Sequence, residues 1–211
     1  MESHPMNIFF LHLRPRRNAR FYVDRHVVKI IVEITQLLWS AWRGVDVVDC
    51  PVKRYRVTHV NHPLAIWVRK CEANYLYAAV VGLALTKEYS FRYAKRHACR
   101  DILKWLVRHL PPFVCANEPY RDTTVLALTD NPPHCTPVPL CMPVEFHASS
   151  LIEAYRRYYM GAKDHLATWR GRNQPSWWLL DLDKKELPEK EKQQEHEQPH
   201  QQPLKKQKLV Q

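Results

Sequence analysis

The sequence predicts an all-α fold: a single compact domain of about four to six helices, followed by a disordered C-terminal tail. Apolar residues recur three and four apart over long stretches without proline. Glycine occurs only four times, too few for the turns and phosphate loops of a β-rich or Rossmann-type chain. The 16 prolines fall mainly between the periodic stretches, where a locked φ and a missing N–H do no harm. With 211 residues, 45% of them hydrophobic, the chain can bury one substantial core. The domain is expected over residues 1–180 and the tail over 181–211.

Met6 to Leu13, MNIFFLHL, is a short apolar run, either a strand or an extended lead-in. Asn18 is placed to cap a first long helix, Ala19 to Arg43, that Gly44 ends. Along it Val23, Val27, Ile30, Ile31, Ile34, Leu37 and Leu38 cover one broad face, extended by Val28, Val32 and Trp39. A narrow strip stays polar: His26, Lys29, Glu33, Gln36 and Ser40. A helix apolar over about two-thirds of its circumference is mostly buried, so the strip is expected to border a cleft. A second helix starts near Pro63, which suits a first turn. Its periodicity runs on to Tyr93 as one bent helix or as shorter ones. DILKWLVRHL is a separate short amphipathic helix, stopped by Pro111 and Pro112. Residues 111–148 are proline-rich and too long for an ordinary connection, so they are ordered by packing or form a site loop. Ser150 and Glu153 make a capping-box pattern that opens a last helix. PSWWLL closes the domain, and from Asp183 the Gln-, Glu-, Lys- and Pro-rich composition predicts disorder.

The net charge is +11. Residues 181–211 hold seven Lys and seven Asp or Glu, so the predicted domain carries the whole excess, 25 Lys and Arg against 14 Asp and Glu. A domain this basic points to a polyanionic partner, DNA or a nucleotide. Six cysteines without a CxxC pair, and no signal peptide, predict an intracellular protein with reduced thiols and no zinc ribbon. The longest apolar run, around Tyr75 to Leu85, is too short to span a bilayer, so no membrane partner is expected.

Three constellations carry candidate chemistry. His26, Lys29 and Glu33 place an imidazole, an amine and a carboxylate within two turns, a candidate catalytic set. Asp24 projects to the apolar side, where a structural hydrogen bond to another helix is the favoured reading. His59 and His62 precede a helix start whose N–H groups attract anions, and Arg69 follows, so these three are candidate phosphate ligands. The H-x-x-H spacing has no third ligand fixed by sequence, so neither a metal nor another cofactor is expected. Aromatic residues alternate with cations in EYSFRYAKRH and AYRRYYMGAK. Tyr89, Phe91, Tyr155 and Tyr159 are expected to pack, whereas Arg92, Arg156, Arg157 and Lys163 are expected to meet solvent or ligand. Trp67 and Tyr93 suit either base stacking or the core.

MNIFFLHL, DRHVVKIIVEITQLL, THVNHPLAIWVR, EYSFRY, AYRRYY and PSWW occur in this order. In that order they resemble a family of small proteins from bacteriophages and large DNA viruses, over Met6 to Trp178. More distantly, Asp24-x-His26-x-x-Lys29, the Asn61-His62-Pro63 triplet and Pro175-x-Trp177 resemble the pyrimidine-dimer DNA glycosylase superfamily of endonuclease V type. That resemblance implies an all-helical viral DNA-repair protein that removes a damaged base by an amine nucleophile assisted by a Glu. Carried to this chain, Glu33 is the carboxylate. The family's amine is N-terminal. Because this sequence opens Met1-Glu2, the side-chain amine of Lys29 takes that place, with His26 assisting. His59, His62, Arg69, Arg92, Arg156 and Lys163 would hold phosphate, and Trp67 or Tyr93 would stack on or replace the flipped base. The expected function is DNA binding with glycosylase/lyase-like base excision. A non-enzymatic viral DNA-binding protein and an enzyme of free nucleotides are the alternatives. The expected location is inside the host cell, with PLKKQKL in the tail a candidate nuclear import signal.

Overall fold

The structure, a computed structural model, describes residues 6–47, 50–112 and 130–178. Two compact units are distinguished, Met1–Gln174 and Pro175–Gln211. The described part of the second is one helical turn, in which Trp178 N–H donates to Pro175 C=O at 2.9 Å. The tail expected to be disordered, its basic cluster and the middle of the proline-rich segment lie outside the described residues.

The fold is all-α. Six α-helices are present among the described residues: α1 Pro15–Phe21, α2 Asp24–Ser40, α3 Pro63–Val68, α4 Glu72–Tyr93, α5 Arg100–Arg108 and α6 Leu151–Ala162. None of them is long and apolar enough to cross a membrane. α4 is the central element, and α1, α2, α3 and α5 all pack on it. Gly82 permits the closest approach. A Cβ built there would lie 3.0 Å from Ile34 of α2 and 3.0 Å from Leu103 of α5.

The lead-in Met6–Leu11 is buried and extended, and among the described residues no strand pairs with it. A buried backbone needs hydrogen bonds, and here side chains supply them. Tyr22 Oη accepts from Phe9 N–H at 2.8 Å and donates to Phe9 C=O at 2.7 Å. Asn18 Oδ1 accepts from Leu11 N–H at 2.8 Å, and its Nδ2 donates to Phe9 C=O at 3.0 Å. This corrects the assignment of Asn18 as an N-cap: its amide is buried and serves the lead-in. The first long helix is accordingly two. Tyr22 and Val23 are extended, so the chain turns there and α2 starts at Asp24.

Elsewhere the local signals act as expected. Pro63 occupies the first turn of α3. Ser150 Oγ accepts from Glu153 N–H at 3.1 Å at the start of α6. Asp130 adds a carboxylate there, accepting from Leu151 and Ile152 N–H. The periodic stretch to Tyr93 resolves into α3 and α4, separated at Arg69–Cys71.

An ion cluster ties these helices together. The Arg92 side chain is fully buried on α4. Its Nε donates to Glu88 Oε1 at 2.8 Å and its Nη1 to Asp24 Oδ1 at 3.0 Å and Tyr22 C=O at 2.9 Å. Arg172 grips Glu88 with both Nε and Nη2, at 2.9 Å each. Asp24 also accepts Arg170 N–H on both oxygens, at 3.0 Å. Asp24 is thus a structural partner, as its apolar-side position predicts. Arg92 is corrected: its guanidinium is spent inside the protein and does not reach solvent or a phosphate.

Candidate functional site

The first part of the α2 polar strip, His26, Lys29 and Glu33, opens onto a narrow cleft lined also by Asn7, Phe9, Ile30, Tyr158 and Lys163, whereas Ser40 is buried and donates to Leu37 C=O at 2.6 Å. Three elements build the cleft. The lead-in supplies Asn7 and Phe9, α2 supplies the imidazole, the amine and the carboxylate, and the end of α6 supplies Tyr158 and Lys163. The three candidate catalytic residues therefore share one site, and Lys163 joins them. The cleft holds about 20 Å³ of free space, room for one water molecule.

Glu33 is buried, with 7% of its surface exposed, and both oxygens are engaged. Oε1 pairs with Lys29 Nζ at 2.9 Å. Oε2 accepts the backbone N–H of Asn7 at 2.9 Å. The Lys29 side chain is half-exposed, so it stands at the rim as an ion-paired cation. The Asn7 side chain is fixed in turn, donating to Cys141 C=O at 2.8 Å.

His26 lies flat on Phe9, ring centroids 4.7 Å apart and 17° between planes. Its Nδ1 meets Tyr159 Oη at 2.7 Å. Val23 N–H donates to that same phenol oxygen at 3.2 Å. Donation of the phenol hydrogen to Nδ1 then places the imidazole hydrogen on Nε2. Burial, reinforced by Lys163, Lys29, Arg25 and His165, pushes the His26 pKa down to about 3. The ring is neutral at pH 7 within a surround of positive charge.

The second constellation is arranged differently. His62 is the N-cap of α3, its Nδ1 accepting Leu64 N–H at 3.2 Å. The ring thereby occupies a donor that an incoming anion would need. His59 is exposed, in the left-handed region with φ 53°. Arg69 donates to Val60 C=O. It lines an open groove of about 410 Å³ with Arg43, Ile66 and Lys70, none of which lines the His26 cleft.

The remaining candidates separate by burial. Arg156 is half-buried, donating to Leu11 C=O at 3.1 Å and lying over the Phe21 ring. Arg157 is exposed and paired with Glu153 on its own helix. Trp67 is corrected as a stacking candidate: it is buried, edge-on to Phe10, and its indole N–H donates to Thr136 C=O at 3.0 Å. Tyr93 is half-buried beside Tyr89, with the Arg170 guanidinium 5.6 Å from its ring centroid. Tyr155 and Tyr159 are fully buried as expected, whereas Phe91 is 55% exposed.

Asn7, Phe9 and Tyr158 line the cleft and Tyr159 bonds His26, and the sequence reading gives none of them a place in the candidate site. Asn7 contributes a backbone N–H, which no side-chain pattern signals. Tyr158 and Tyr159 stand in the AYRRYY run already noted for its aromatic and basic alternation. Among the described residues, no three His, Cys, Asp or Glu side chains gather in a way that could hold a metal ion. The chain matches no family model, no curated protein and no solved structure in the three comparisons.

Proposed function

We propose that the protein binds DNA and carries out glycosylase/lyase-like base excision at the His26–Lys29–Glu33 cleft. The observation that carries this reading is the convergence of a primary amine, a buried carboxylate and a neutral imidazole in a chain of net charge +11. The resemblance to the endonuclease V type superfamily supports the same chemistry. Glu33 Oε2 accepts from the Asn7 amide, and an amide is no nucleophile. The amine role therefore falls to Lys29, the primary amine paired with Glu33.

In this reading Lys29 Nζ passes a proton to Glu33 and attacks the deoxyribose C1′. The C1′–N bond breaks, its electron pair leaves with the base, and the base takes the proton that Glu33 received. One proton of the new C1′-bound nitrogen then moves to O4′ as the sugar ring opens, leaving an iminium. His26 stays neutral and offers its Nε2–H to a sugar or phosphate oxygen, while Lys163 meets the flanking phosphate.

Borohydride trapping on duplex DNA with an abasic site tests this. Wild-type protein is expected to give a covalent reduced adduct, and Lys29→Ala and Glu33→Gln to lose it. An adduct that survives in Lys29→Ala moves the nucleophile elsewhere. A second reading, non-enzymatic DNA binding, is favoured by the cleft's 20 Å³, which holds a water but no base. Tight duplex binding with no adduct on any damaged substrate establishes that reading instead.

A further inference from the structure

The groove between the end of α2 and the α3–α4 junction has a composition of its own. Arg43, Ile66, Arg69 and Lys70 line about 410 Å³, the size of a small-ligand site. No acidic residue lines it among the described residues. Arg43 follows α2, and Arg69 and Lys70 follow α3. Cations are welcome at such helix ends because of the helix dipole, but the dipole alone does not require two guanidiniums to share a groove. They do share it: burial and then the nearby Arg43 charge push the Arg69 pKa down. Like charges this close repel, and an anion between them relieves the repulsion. Arg69 is held by its bond to Val60 C=O, so its fork is oriented before any ligand arrives. Ile66, on the exposed face of α3, is 45% exposed and offers an apolar wall beside the cations.

We propose that this groove is a phosphate-binding site, separate from the His26 cleft, with Arg43 and Arg69 clamping the phosphate oxygens and Ile66 supporting the attached sugar or base. The shared chemistry is a phosphate ester carrying an apolar group. A nucleoside monophosphate and a phosphodiester of a DNA strand both present it, and the second source rests on the DNA-binding reading above. Paired guanidiniums suit phosphate because each supplies parallel N–H donors.

The test uses the full chain and three probes: inorganic phosphate, a deoxynucleoside monophosphate and a short single-stranded oligonucleotide. The readouts are the Ile66 methyl and arginine Nε–H NMR signals, together with binding titrations. Phosphate and monophosphate are expected to shift Ile66, Arg43 and Arg69. Arg43→Gln is expected to weaken binding about tenfold or more, the size of a lost charge-assisted hydrogen bond. Arg43 makes no side-chain bond to the described residues, so this variant keeps the fold even if Arg69→Gln does not.

If a DNA strand is the occupant, the oligonucleotide binds tightest. The slope of log K against log salt then falls by about 0.7 in Arg43→Gln for one lost single-strand phosphate contact, but not in the exposed control Lys87→Gln. If a free nucleotide is the occupant, the monophosphate binds as tightly as the oligonucleotide. No shift at Ile66 with any probe overturns the proposal, as does equal binding by Arg43→Gln. Borohydride trapping is indifferent to all of these outcomes, so the groove and the catalytic cleft can fail separately.

Discussion

His26 decides what the cleft can do, because its charge state is set by burial. Its pKa falls from 6.5 to about 3 in the folded protein. Between those two values the unfolded chain takes up a proton that the native ring refuses. His26 therefore costs stability as pH falls from 6.5 toward 3, at roughly 1.4 kcal/mol per pH unit within that window, and nothing above it. Denaturant melts of wild type and His26→Gln at pH 7, 6, 5 and 4 are expected to show wild type losing ground to the variant as pH drops. Parallel profiles would mean that the ring is hydrated. Glu33 gives a second contrast. Glu33→Gln keeps an oxygen for the Asn7 N–H and loses only a rim ion pair, so its stability is expected to change by less than ~1 kcal/mol while trapping is lost. Glu33→Leu orphans a buried N–H and is expected to cost about 1–3 kcal/mol, read by the same melts. The spacing of residues 26, 29 and 33 makes their shared face legible in the sequence. The Asn7 contact was not, because it is a backbone donor delivered by a segment with no periodicity of its own.

Helices meet in this protein through a buried charge cluster as well as through apolar faces, and that cluster holds the start of α2. Arg92 is bonded to Glu88, Asp24 and the carbonyls of Tyr22 and Arg20. Removing it leaves Asp24 without its cationic partner and Glu88 with Arg172 alone. Arg92→Leu is expected to cost about 3–5 kcal/mol, and Arg92→Lys to recover only part, since an ammonium lacks the fork that reaches all four partners. Burial alone would raise the Glu88 pKa, but the hydrogen bonds from Arg172 and Arg92 outweigh it and hold the carboxyl below its ordinary 4.5. The stability this lends is present above the unfolded-state value and is lost as pH falls through the folded one. Gly82 supports the element scale differently. Alanine there gains up to about 1 kcal/mol of helix propensity. Its Cβ presses on methyl groups of Ile34 and Leu103, both fully buried. Overpacking at about 1–3 kcal/mol wins, so Gly82→Ala is expected to lower the melting temperature. Helix identity was readable from periodicity and from Pro63 and Ser150. The break at Tyr22–Val23 was not, because no proline or glycine marks it, and the lead-in packing against Asn18 and Tyr22 is what separates α1 from α2. Arg92 was misread for a related reason: a basic residue among aromatics looks the same whether it faces water or a buried carboxylate.

At the scale of the molecule, charge is the property on which the proposed DNA binding turns, and it is read directly from the sequence. Residues 1–180 hold the entire excess, 25 Lys and Arg against 14 Asp and Glu, while residues 181–211 are balanced at seven of each. Several of the cations in the domain are consumed internally. Arg92 and Arg172 are spent on Glu88, and Arg157 and Lys29 pair with neighbours on their own helices. Such pairs are already subtracted in the net charge, so the excess of +11 is what remains for phosphates. Each contact contributes about 0.9 to the salt slope on duplex DNA. A slope near −3 to −5 fits the two cation groups at the cleft and the groove, whereas a slope near −10 would bring further lysines and arginines of the domain onto the phosphates. A chain ending at residue 180 removes no net charge, so it is expected to bind duplex DNA with an unchanged slope and an affinity within about threefold of the full chain, checked by fluorescence anisotropy between 50 and 200 mM salt. If that shortened chain lost its affinity, the Lys-rich end of the tail would carry the DNA contacts despite its balanced charge. The basic surface of the helical domain would then have to be explained by some other anionic partner.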